Sequence, residues 1–200
     1  MPIEQTWREM EKLVDDGLVR AIGVSNFSAA QCEALCKVAR IPPACNQVES
    51  HPFFAQTELL AACRKLGICM TAYSPLGSPG NPAQRATSEA GDTVLTDPTL
   101  KKLADAKGKS AAQIAIAFQV ARGVPTFPKS VNAARLAQNI DLDDLVLSEA
   151  EVEEIRHLDR GWAGRGCYGG PRVERAGQME PRDLQHADYP WQVDGSERAA

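Results

Sequence analysis

The chain has no excess of basic charge, no long apolar run, few aromatics and no paired-cysteine spacing. Its 22 Lys and Arg against 26 Asp and Glu leave a net charge of −4. That balance argues against nucleic acid as the main partner, because phosphate-backbone binders need a basic face. The most nearly apolar stretch, AAQIAIAFQVA at 111–121, is too short to span a bilayer and carries two glutamines. It reads as a buried helix, and no membrane partner is expected. The amino terminus, MPIEQTWREMEK, has neither the basic-then-apolar pattern of a secretory signal nor the Arg/Ser bias of a transit peptide. None of the six cysteines forms a CxxC pair. Their apolar surroundings suit small core hydrophobes better than a disulfide framework or a zinc site, and suggest a reducing, cytoplasmic setting.

What is present is a core and an alternation. Two hundred residues at 44% hydrophobic content can bury one sizeable core, and the length suggests one domain. The spacing predicts a helix over 5–16 stopped by Gly17, a strand over 18–24 (LVRAIGV), and a helix opened by the capping box Ser28-Ala-Ala-Gln31. Strands over 44–49 and 68–73 follow, with a helix from Thr57 to Leu66 between them. A long Ser/Pro/Gly-rich loop fills 74–96, and loops of that length in compact domains are usually functional or mobile. Asp97-Pro98 and the capping box at Ser110–Gln113 open two further helices. GVPTFP at 123–128 reads as a fourth strand, helices follow over 132–139 and from Ser148 to Leu158, and the residues after Gly161 read mostly as loop. Strand–helix repetition with strands apolar throughout implies a parallel α/β sheet covered on both faces. Four strands fit half of a closed (β/α)₈ barrel.

In parallel α/β folds the working face lies at the carboxyl ends of the strands. Here those ends are polar: Ser25-Asn26, then Gln47, Glu49 and His51, then Tyr73-Ser74, then Lys129-Ser130. Taken singly, Ser25-Asn26 reads as a helix cap, Tyr73 as a packed core ring, His51 as a turn residue, and Lys129 and Arg135 as solvated charges. The joint pattern points instead to one dinucleotide-binding face. Asn26 and Gln47 can give and accept amide-type hydrogen bonds, as a nicotinamide carboxamide requires. Tyr73 offers a ring for stacking. Ser74 and Ser78, with the backbone of Leu76 and Gly77, could line a pyrophosphate. Lys129, Ser130 and Arg135 could surround a further phosphate monoester near a helix amino terminus, the group that separates NADP from NAD.

Three blocks carry a family resemblance. MEKLVDDGLVRAIGVSNF (10–27), QVESHP with TAYSPLGS (47–52 and 71–78), and FPKSVNAARLAQNI (127–140) resemble signature regions of the aldo-keto reductases. Phe127 stands where the family usually has an aliphatic residue. The resemblance runs from about Thr6 to Trp191. It implies the second half of a parallel (β/α)₈ TIM barrel, with an oxidoreductase domain over 1–160 and a substrate-loop tail over 161–200. It also implies an NADP(H)-dependent reduction of aldehydes or ketones. By the same resemblance Ser25, Asn26 and Gln47 hold the nicotinamide amide, Tyr73 stacks on its ring, and Ser74, Leu76 and Ser78 hold the pyrophosphate. Lys129, Ser130, Val131, Arg135, Gln138 and Asn139 surround the 2′-phosphate. The tail EPRDLQHADYPW (180–191) is most similar to the aldehyde reductase branch, in which the residue matching Arg182 pairs with a substrate carboxylate.

The family's Asp–Tyr–Lys–His tetrad belongs to barrel strands that have no counterpart in this sequence. The only tyrosines are Tyr73, Tyr168 and Tyr189, and the only histidines His51, His157 and His186. No catalytic acid is therefore named. Two readings stand: the cofactor-binding half of a carbonyl reductase, or a non-catalytic nucleotide-binding or regulatory fragment, an inactive product included. Met1 fits a truncated reading frame, a short isoform or a half-length protein alike. Opening a barrel between strands leaves unpaired edges, so self-association is expected of this chain alone.

Overall fold

The computed structural model describes residues 2–79 and 93–167, together with the backbone of two short strands at 172–175 and 178–181. Contacts divide the chain into two compact units, one built from 1–48, 57–70 and 168–200, the other from 49–56 and 71–167.

The first unit opens with helix α1 (Ile3–Asp15), whose apolar spacing aims Trp7 inward. Trp7, Ile22 and Leu35 form a small core. The helix is tied down by polar contacts as well. The Trp7 indole donates to the Ile41 carbonyl at 2.9 Å, and the buried Glu11 carboxylate accepts the Arg40 and Ile41 amides at 2.8 and 2.9 Å. The strand predicted over 18–24 is far shorter: only β1 (Val24–Ser25) forms a ladder, parallel to β2 (Cys45–Glu49) with Val24 opposite Asn46 and Ser25 opposite Gln47. Upstream of it a single backbone bond joins Ala44 to Ile22. Gly23 permits the close approach, since a Cβ there would lie 2.5 Å from the Cys45 sulfur. Helix α2 (Ala29–Val38) begins at the expected Ser28/Gln31 capping box, and α3 (Thr57–Lys65) and β3 (Cys69–Tyr73) follow. The sheet order is β1-β2-β3.

The second unit holds the larger core. Phe118, Leu100, Ile114, Val94 and Ile155 are all buried in it, each contributing about 1.5–3 kcal/mol if fully removed from water. Asp97 caps α4 (Pro98–Lys107), accepting the Thr99 and Leu100 amides at 2.8 and 3.1 Å. Helix α5 (Ala111–Ala121) is buried from Gln113 through Gln119. Its polar residues are bonded rather than exposed: the Gln119 amide donates to the Ser50 hydroxyl at 3.1 Å, and Gln113 donates to the Asp141 carbonyl at 2.8 Å. Helices α6 (Ala133–Ile140) and α7 (Glu149–Arg156) complete the unit.

A second strand falls short of expectation. The fourth strand, 123–128, is reduced to a single parallel bridge between Ala72 and Thr126. The Ala72 amide donates to Pro125 at 2.8 Å and the Phe127 amide to Ala72 at 3.2 Å, but Pro125 and Pro128 have no N–H to extend the ladder. The residues after Gly161, read mostly as loop, include one short hairpin, in which β4 (Arg172–Arg175) pairs antiparallel with β5 (Gln178–Pro181).

Candidate functional site

The sequence-predicted residues fall into two groups, one in each unit. In the first unit Ser25, Asn26 and Gln47 come together through the β1–β2 register. The Ser25 hydroxyl and the Asn26 amide both donate to the Gln47 carbonyl, at 2.8 and 2.9 Å. Asn26 turns the chain there with φ at 60°, a left-handed conformation that asparagine tolerates better than most residues. This leaves the Ser25 and Gln47 side chains at the exposed carboxyl end of a parallel pair.

In the second unit a cleft of about 730 Å³ is lined by Ser74, Leu76 and Ser78 on one wall and by Lys129, Ser130, Arg135, Gln138 and Asn139 on the other. Ser74, Gly77 and Ser78 all have positive φ, and the Gly77 amide closes a turn onto the Ser74 carbonyl at 2.9 Å. The facing wall is the start of α6. Its cap, Asn132, accepts the Arg135 amide at 3.1 Å, while the Asn132 amide donates to the Ser130 hydroxyl at 3.1 Å. Arg135 and Lys129 are exposed cations beside this helix start. A helix amino terminus with two cations, hydroxyls and amides is a donor set suited to a phosphate group.

Val131 and Tyr73 do not line the cleft, and Val131 is 86% exposed. Tyr73 is half-buried at the end of β3, with its hydroxyl pushed up to about 12; burial is the largest cause, and Arg165 pulls the other way. Arg182 lies outside the described residues. Residues not expected to contact a cofactor also line the cleft, among them Leu95, Ser110, Ala112 and Phe127. Phe127 could have been noticed from its place two residues before Lys129. Nothing local marks the other three.

A second polar group in the same unit was only half legible. Glu49 and His51, noted as strand-end polar residues, are fully buried with His51 Nε2 3.2 Å from Glu49 Oε1. The carboxylate also accepts the Gly166 and Cys167 amides, both at 2.8 Å, with Arg165 Nε at 3.8 Å. Burial pushes the Glu49 carboxyl up, but the His51 hydrogen bond and charge and the two amides outweigh it and hold the group below its ordinary value. Among the described residues no cluster of His, Cys, Asp and Glu is arranged to hold a metal ion, and no helix is long and apolar enough to cross a membrane.

The sequence model of the Aldo/keto reductase family matches residues 1–160. The chain belongs to the aldo/keto reductase family. It is 43% identical over 188 residues to aldo-keto reductase family 1 member A1 of Gallus gallus, covering 94% of this chain and 55% of that protein. An aldo/keto reductase of Synechocystis sp. is 47% identical over 159 residues, 79% of this chain and 48% of that one. The aldose reductase structure from Schistosoma japonicum superposes with a TM-score of 0.76 at 31% identity, over 96% of this chain and 55% of that one. The fold is therefore the family's α/β barrel in part, and this aldo/keto reductase chain spans about half the length of the relatives it matches.

Proposed function

We propose that the chain supplies the NADP(H)-binding half of an aldehyde- or ketone-reducing oxidoreductase. The observation that carries this reading is the cleft, which gathers eight of the expected phosphate-contact residues: Ser74, Leu76, Ser78, Lys129, Ser130, Arg135, Gln138 and Asn139. Bound there, NADPH would supply the hydride for carbonyl reduction. The chain's own part is positioning. Lys129 and Arg135 offer charge to the 2′-phosphate, and the turn at 74–78 offers hydroxyls and backbone N–H groups to the pyrophosphate. Ser25, Asn26 and Gln47 present hydrogen-bonding groups suited to the carboxamide, and Tyr73 an aromatic face. In the cell the expected setting is cytoplasmic, and the expected partner is a small carbonyl compound, with a carboxylate if Arg182 meets it.

The test is a fluorescence titration with NADPH and NADH. Arg135→Ala removes the guanidinium but keeps the backbone amide that bonds Asn132. NADPH affinity should fall by about tenfold to a hundredfold, the range of one lost charge-assisted hydrogen bond, while NADH affinity stays nearly unchanged. Equal losses for both would remove the 2′-phosphate assignment.

A second reading, nucleotide binding without turnover, draws support from the sequence, which offers no counterpart of the family's Asp–Tyr–Lys–His tetrad. Binding of NADPH with no carbonyl reduction by the same chain would favour it.

A further inference from the structure

We infer that Glu49 is a positioning residue for the nucleotide cleft, latching the segment 165–167 so that Cys167 props the wall formed by Ser74 and Ser78. The inference rests on reading that cleft as the NADP(H) site. Glu49 ends β2, and its partners Gly166 and Cys167 lie more than a hundred residues further along the chain. Each carboxylate oxygen takes one backbone N–H, so both oxygens are engaged by the two consecutive amides. Arg165, as buried as Glu49, adds its charge at 3.8 Å and donates through Nε to the Cys167 carbonyl at 2.9 Å. Its guanidinium lies 5.0 Å from the centre of the Trp162 ring. The segment is thus gripped at three successive residues.

The consequence reaches the cleft through one side chain. Held by its own amide, Cys167 places its sulfur 3.4 Å from the Ser74 hydroxyl and 3.7 Å from that of Ser78. Those two serines line the cleft, and both are in left-handed backbone conformations, which persist only where surrounding contacts over-determine them. A carboxylate that fixes Cys167 therefore helps fix the turn at 74–78. Glutamine in the same pose would turn its NH2 donor toward one of the two amides and would present no charge to Arg165.

The test uses the full chain, Glu49→Gln and a control, Glu11→Gln. Glu11 is likewise buried and accepts two consecutive backbone amides, those of Arg40 and Ile41, but it belongs to the first unit. Two quantities are read: the iodoacetamide labelling rate of Cys167 by peptide mass spectrometry, and NADPH affinity by fluorescence. Glu49→Gln should label Cys167 about tenfold faster and bind NADPH about tenfold more weakly, as loss of a charged hydrogen bond dictates. Glu11→Gln should change neither, whatever it does to stability. Unchanged Cys167 labelling in a folded Glu49→Gln chain overturns the latch. Faster labelling with unchanged NADPH affinity overturns its role in the cleft. If the unaltered chain binds no NADPH, the cofactor reading fails and the role in that cleft with it, while labelling still decides the latch. Should Glu49→Gln not fold, hydrogen exchange of the unaltered chain decides: the 165–167 amides should be protected, and free exchange there overturns the latch.

Discussion

Replacing Gly164 by alanine should loosen the segment that carries Arg165 and Cys167, and the size of the effect follows from the backbone around it. A Cβ at Gly164 would lie 1.7 Å from the Phe53 carbonyl oxygen and 2.6 Å from its carbon, where such contacts are not found under 3.0 Å. The obstacle is backbone, so no rotamer change relieves it. The two strands of chain have to part by more than an ångström, and that motion breaks identifiable contacts. The Arg160 amide donates to the same Phe53 carbonyl at 3.0 Å, and the Arg160 guanidinium sits 3.6 Å from the centre of the Phe53 ring. Loss of the hydrogen bond costs about 0.5–1.5 kcal/mol and loss of the cation–π contact about 0.5–1 kcal/mol. Weakening of the Glu49 amide bonds brings the expected total to about 2–4 kcal/mol. Urea unfolding followed by tryptophan fluorescence measures it, since Trp162 lies in the same short 3₁₀ turn. Gly108→Ala is the reference. That glycine has φ of 63° and open space around it, so its replacement costs only about 1–2 kcal/mol of left-handed strain. If Gly164→Ala proves no more costly than Gly108→Ala, the close approach to Phe53 is not what holds this segment.

Two further outcomes follow from the geometry. The Glu49 carboxyl titrates below its ordinary 4.5 in the fold, so its contribution to stability is full above that value and is lost as pH falls through the lower, folded one. The charged and titratable groups facing it are His51, Arg165, Tyr73 and Cys167. Denaturation midpoints should therefore drop more steeply in the unaltered chain than in Glu49→Gln as pH falls below the ordinary 4.5, and parallel curves would refute the assignment. Ser110→Ala removes the hydroxyl that accepts the Gln113 amide at 3.3 Å and donates to its side-chain oxygen at 3.0 Å. It should cost about 1 kcal/mol, seen as a melting point lowered by about 2–4 °C, and an unchanged melting point would count against the capping box.

What could be read from the sequence was what is decided locally. The capping boxes at Ser28, Ser110 and Ser148 open their helices as expected, because the reciprocal bonds join residues three apart. The cation-bearing wall of the cleft was legible for the same reason: Lys129, Ser130, Arg135, Gln138 and Asn139 sit in one short stretch around a helix start. Strand extent was not, because a ladder depends on what the partner offers. Prolines at 125 and 128 remove the donors that a fourth strand would need, and β1 pairs over only two residues. The tail hairpin gave no warning, since 172–181 has only Val173 and Met179 as large apolar side chains. The opposite limit is the Glu49 cluster. A buried glutamate in a single sequence reads as a strand-end polar group, and an arginine in a glycine-rich tail reads as solvated charge. Only the fold brings Arg165 and the amides of Gly166 and Cys167 onto one carboxylate. Burying that charge is tolerable because both its oxygens are bonded and a cation lies beside it.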